Sequence, residues 1–155
     1  MPSRIMTLKT AGCALFLLAA VVPQAAQADE AIGQIKSETG AVSVERKSGN
    51  KPLAIGDHVF QSDTVITATN SSVGITFNDN SMMSLGPNSR LALDQFAFNT
   101  TTHGGVFNAS LQKGTLAVKS GQIVRQTPEA MHVRTPAALL GVRGTEFVVR
   151  VDGKN

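Results

Sequence analysis

The chain has 155 residues, a formal net charge of +3, a single cysteine, and neither tryptophan nor tyrosine. Its lysines and arginines are dispersed rather than bunched, which argues against an electrostatic nucleic-acid surface. With seven phenylalanines as the whole aromatic complement, stacking platforms for bases or sugars are scarce, and recognition of nucleic acid is excluded as a leading reading.

Residues 1–9 carry Arg4 and Lys9 and no acid, and an apolar run over 11–22 follows. Pro23-Gln24 interrupts the run, and Ala26-Gln27-Ala28 supplies the small residues of a cleavage site. The pattern predicts a helical secretory signal peptide over 1–28, cut before Asp29. An uncleaved anchor is the weaker reading, because about 12 apolar residues fall short of the roughly 20 that span a bilayer. Cys13 precedes most of the apolar run, the wrong order for lipid attachment. Cleavage of 28 residues from 155 leaves 127, enough for one domain. The product would be periplasmic or secreted, with no membrane span, no thiol nucleophile and no disulfide.

Beyond the leader no window has a helical period, and short apolar alternations recur between turn residues. In a lead-in over 29–55, Val42 and Val44 make the first pair, and Ser48-Gly49-Asn50-Lys51-Pro52 reads as a turn-rich break. Gly56-Asp57 opens the next segment, and residues 65–69 are rich in β-branched types. Val73, Ile75 and Phe77 share one face; Asn78-Asp79-Asn80-Ser81 is a tight turn; Met83 and Leu85 resume the buried face. Leu91 and Leu93 are followed by Phe96 and Phe98 one residue out of phase, the mark of a bulge. Residues 99–105 read as an exposed loop. Phe107, Ala109 and Leu111 alternate before Lys113-Gly114, read as a turn into Leu116 and Val118. Met131 and Val133 lead to the most specific run.

That run is Thr135-Pro136-Ala137-Ala138-Leu139-Leu140-Gly141-Val142-Arg143-Gly144-Thr145-Glu146-Phe147-Val148-Val149. Leu140 and Val142 alternate as in a half-buried strand, and Phe147, Val149 and Val151 repeat at a spacing of two. A strand, a glycine-permitted bend over 142–145 and a second strand follow from this pattern. The fold class is therefore all-β, and composition leaves a two-sheet sandwich and a wound solenoid both open.

The same run is similar to the closing motif of FecR-like domains, which are bacterial periplasmic modules. Further pieces stand upstream in order: Gly56-Asp57, Asp63-Thr64-Val65-Ile66-Thr67, the hairpin over 73–85, Gly86-Pro87-Asn88-Ser89 and Leu111-Gln112-Lys113-Gly114-Thr115-Leu116. The resemblance covers 56–151 and favours a compact, solenoid-like roll of short strands stacked in coils, with the β-sandwich as the alternative. It implies a non-enzymatic module that contacts an envelope or outer-membrane protein. Full transducers of this kind add a cytoplasmic sigma-binding region and one span, and nine residues before the apolar run are too few for that region. Further strands usually follow the Gly-Thr-x-Phe strand, so an ending at Asp152-Gly153-Lys154-Asn155 suggests a truncated C-terminus. It also suggests an exposed edge over 147–151, to which a partner or a second copy adds a strand. A self-assembling or adhesin-associated structural protein is the alternative function, and an enzyme acting on cell-wall material is the third.

Arg143 is the leading candidate for partner contact, since a guanidinium at a bend can hold a carboxylate in a fixed fork. The competing role is a structural arginine bonding turn carbonyls. Thr145 and Arg134 join it as contact candidates, with Arg134 and Glu146 as potential partners of Arg143. Gly56, Asp57, Pro136, Gly141, Gly144 and Phe147 are assigned to the architecture of the motif. His58, His103 and His132 match no metal-ligand spacing, and Asp79 lacks the later glutamate of a calcium loop. No catalytic residue, metal or cofactor is expected.

Overall fold

The computed structural model describes residues 29–144 and 146–153. The leader reading and Thr145 lie outside the described residues. The strands are β1 Ala31–Thr39, β2 Val42–Arg46, β3 Gly49–Pro52, β4 His58–Phe60, β5 Thr64–Thr67, β6 Ser72–Phe77, β7 Met82–Leu85, β8 Arg90–Phe98, β9 Gly105–Lys119, β10 Met131–Arg134, β11 Leu139–Gly141 and β12 Glu146–Val151, with one short helix, α1 Gln122–Gln126.

The longest strand, β9, organises the rest. Its first part buries Phe107, Ala109 and Leu111, and its second part buries Leu116 and Val118, one residue out of phase. The flip occurs around Gly114, whose φ is 91°. A Cβ there would stand 2.6 Å from Ser89 Cβ, so only glycine permits the close approach. Lys113-Gly114 is therefore a kink within one continuous strand and not the turn that its composition predicts, because a positive-φ glycine serves a bulge as well as a reversal.

The kink lets β9 belong to two arcs. Its first part lies between antiparallel β8 and parallel β10, and its second part lies between β7 and β12, both antiparallel. One arc runs β3-β2-β5-β8-β9-β10-β11 and the other β4-β1-β6-β7-β9-β12. Together they form a curled antiparallel sheet, a half-barrel. Stacked coils would pair their turns through parallel ladders, and among the described residues only β9 with β10 runs parallel. The division of a two-sheet sandwich is likewise bridged, because β9 passes through both arcs.

The core fills the inside of the curl. Phe77 on β6, Phe96 on β8 and Phe107 on β9 bring rings from both arcs to centroid distances of 4.6, 5.1 and 5.9 Å. Burying rings at such offset and edge-on geometries makes truncation of any one costly, about 3–5 kcal/mol. Val73, Ile75, Met83 and Leu85 of the β6–β7 hairpin are buried as their alternation predicts. A register shift between Ala92 and Gln95 accounts for the phase change at Phe96 and Phe98.

Two readings are corrected. Gly49–Pro52 is the return strand of a hairpin on β2 and not a break; all four residues are exposed, so no apolar alternation marks them. The helix α1 buries Ile123 and Val124 but spans only five residues, too few for a helical period to be seen. The lead-in is integral to the sheet, since β1 lies between β4 and β6. Arg46 clamps this region: its Nε and Nη2 donate to the two carboxylate oxygens of Asp63 at 2.8 and 2.9 Å, over the Phe60 ring at 4.7 Å. Among the described residues no helix is long and apolar enough to cross a membrane.

Candidate functional site

The specific C-terminal run links the two arcs, with β11 paired to β10 and β12 paired to β9. Thr135 N–H donates to Ala138 O at 2.8 Å and its hydroxyl accepts from Ala138 N at 3.0 Å, closing a tight turn with Pro136 exposed at its tip. Beyond it β11 pairs with β10, buried Val142 donates its N–H to Met131 O at 2.9 Å, and the chain crosses to the other arc. There Gly144 O accepts from the Ser120 hydroxyl at 2.8 Å, and β12 pairs with β9. The two strands of the motif thus take different partners; periodicity locates strands but does not name their neighbours.

Arg143 lies in this crossing with its side chain 75% exposed, ion-paired to Glu129 and not to Glu146 or Arg134. Glu146 pairs instead with Lys119 at 3.3 Å. Gly56, with φ 92°, and Asp57 form a turn on β1, where Asp57 carboxylate accepts from Ala54 N at 3.0 Å and Gly56 N donates to Ile35 O at 2.9 Å. Phe147 is half-buried against the core. Gly141 and Gly144 are different: neither has a positive φ, and a Cβ on either would meet nothing within 4 Å.

Arg134 marks the better-built site. On the outer face of β8 to β11 a groove of about 600 Å³ is lined by Arg134 and His132 of β10, Asn108 and Ser110 of β9, and Asp94 and Gln95 of β8. Register sets the side chains in rows across the strands: Gln95, Asn108, His132 and Gly141 in one, Ser110, Arg134 and Leu139 in the next. Asn108 Nδ2 donates to Gln95 Oε1 at 2.9 Å, and the Ser110 hydroxyl donates to Asp94. Among the described residues the Arg134 side chain has no ion-pair or hydrogen-bond partner, and it is exposed. Sequence reasoning singled out Arg134 but not its five neighbours. Their outward phase on β8, β9 and β10 is legible, whereas the rows they share depend on the β8 bulge and the parallel β9–β10 register.

In the groove Ser110 bonds Asp94 directly, with no histidine between them, so these two side chains do not form a Ser-His-Asp relay. Elsewhere on the surface, Val148 (70% exposed) and Met82 (48%) flank Ala117 on the outer face of the second arc. Among the described residues β12 has one neighbouring strand, β9.

No curated protein and no solved structure matches the chain. Residues 63–155 match the family described as FecR protein. That stretch takes in β5 to β12, with the core strand β9 and the six groove residues named above. The chain therefore belongs to the FecR family.

Proposed function

We propose that this chain is an exported, non-catalytic FecR-domain module that acts in periplasmic signalling by binding an envelope protein through the outer face of β8 to β11. The family is generally non-catalytic and generally works in periplasmic signalling, which supports the coarse reading. The leader pattern before Asp29 supports export. The observation that carries the choice of surface is Arg134: an exposed guanidinium without a partner among the described residues, amid a row of side-chain amides and a hydroxyl. A fork of five donors left free at a concave polar surface is suited to hold a partner's acceptor groups. The test is a crosslinking pull-down from the periplasm with the chain from Asp29 and its Arg134→Gln form, both checked by circular dichroism. Capture of one envelope protein, lost with Arg134→Gln, supports the proposal; equal capture by both contradicts it.

A second reading, self-association, is favoured by β12. Its outward residues are Glu146, Val148 and Arg150. An antiparallel pairing of two copies centred on Val148 sets each Glu146 across from the other copy's Arg150 and Val148 against Val148, a self-complementary edge. Concentration-dependent sedimentation that Arg150→Glu abolishes would support it, and a monomer at every concentration would remove it.

A further inference from the structure

Resting on the binding reading above, we infer that the β8–β11 groove takes an extended peptide segment of its partner bearing a side-chain carboxylate, which Arg134 holds. Charge is the first argument. Arg134 has no counter-ion among the described residues, whereas the carboxylate of Asp94 is engaged by the Ser110 hydroxyl. The groove thus offers a cation at β10 and an acceptor at β8, which fits a ligand acid at one end and ligand N–H groups at the other.

The middle of the groove has the complement of a peptide backbone. Asn108 and Gln95 share one bond of 2.9 Å, which leaves an amide oxygen on Asn108 and donors on both. A primary amide offers an acceptor and donors in one plane, the pattern that an extended chain's N–H and C=O satisfy.

Gly141 supplies a third argument. It stands directly across from His132 on the outer face, yet its φ is not positive and a Cβ would meet nothing within 4 Å. Neither backbone strain nor packing explains a glycine there. What the missing side chain does is leave the row beside His132 open, where a ligand backbone can approach closely. A glycan is the weaker occupant, because no phenylalanine lines the groove and the small imidazole of His132 is the one ring among its lining residues that a sugar could stack on.

The experiment uses labelled short peptides with one central Asp or Glu, the same peptides with Asn or Gln, and a hexuronate oligosaccharide, titrated against the chain from Asp29. Acidic peptides should bind roughly tenfold or more tightly than their amide counterparts, the difference a charged hydrogen bond makes. Arg134→Gln should erase that difference, Gly141→Val should weaken every peptide without altering the circular dichroism, and Arg125→Gln should change nothing. The inference is overturned if no acidic peptide binds at millimolar concentration, if acid and amide forms bind alike, or if the oligosaccharide binds through Arg134 in their place. A partner captured through Arg134 but not displaced by excess acidic peptide would refute this inference and leave the binding proposal standing; capture indifferent to Arg134→Gln would refute both.

Discussion

Gly121 sits where the start of α1 packs on the β6–β7 turn, and Gly121→Ala should be a damaging single-methyl change. Its N–H donates to Ser81 Oγ at 2.9 Å, and the next residue, Gln122, donates its N–H to Asp79 O at 2.7 Å. Asp79 and Ser81 are wholly buried, with Ser81 N and Oγ bonded to the Asp79 carboxylate at 3.0 and 2.7 Å. A Cβ on Gly121 would stand 2.7 Å from Asn80 C and closer still to Asp79 O and Ser81 N. All three are backbone atoms, so no rotamer change relieves the clash, and the start of α1 must move off the β6–β7 turn by roughly an ångström. Overpacking costs about 1–3 kcal/mol and two strained or lost buried hydrogen bonds about 1–3 kcal/mol more, for a total of about 2–6 kcal/mol. Reduced unfolded-state entropy offsets this by less than about 1 kcal/mol. Urea denaturation followed by circular dichroism measures it, with Gly141→Ala as the control. There the added methyl meets open space, and stability should change by no more than about 0.5 kcal/mol. Equal stability of Gly121→Ala and wild type, or greater damage from Gly141→Ala, would refute the reasoning.

Among the described residues, Arg46→Ala leaves the Asp63 side chain, 4% exposed, with only the Phe60 N–H at 2.9 Å to balance its charge. Denaturation should register a loss of about 2–4 kcal/mol, and Arg46→Lys, which keeps the charge but not the fork, should recover part of it. The hydrogen bond from Arg90 holds the Glu45 carboxyl below its ordinary value of 4.5 against an opposing desolvation, with the charge of Arg90 adding a smaller effect. A depressed folded-state value adds stability that is complete above pH 4.5 and fades as pH falls through the lower, folded value. Glu45→Gln should therefore flatten the acid limb of the stability profile below that pH, and an unchanged limb would count against the pair. Arg143→Ala removes an exposed pair with Glu129 and should cost less than about 1 kcal/mol by the same assay. Retained partner capture by that variant would assign Arg143 to the surface, and lost capture would make it a contact.

The alternation of Val73, Ile75 and Phe77, of Leu91 and Leu93, and of Phe107, Ala109 and Leu111 was enough to read strands and their buried face, because each strand has one side in the core. The same pattern held the key to β9. Its buried set changes from odd to even positions across Gly114, which a turn and a kink both produce, and only the pairing of each part distinguishes them. Long-range pairing is also why the functional surface was hard to see. Asn108 and His132 lie far apart in the chain and adjoin through a parallel ladder, which no local motif announces. The run around Arg143 stood out through its glycines, yet Gly141 and Gly144 occupy open space, while Gly121, Gly114 and Gly105, in unremarkable contexts, meet backbone at once. A glycine's neighbours in sequence say little about what its missing side chain avoids in space.

The central claim, that the outer face of β8 to β11 is the partner-binding surface, is tested most directly by placing a photo-crosslinking residue at Asn108 in the groove and, separately, at Val148 on β12, within the chain expressed in living cells. The account predicts an adduct with one envelope protein from position 108 and none from position 148. Adducts from 148 alone, or with a second copy of the chain alone, would contradict it and point to the β12 edge as the working surface.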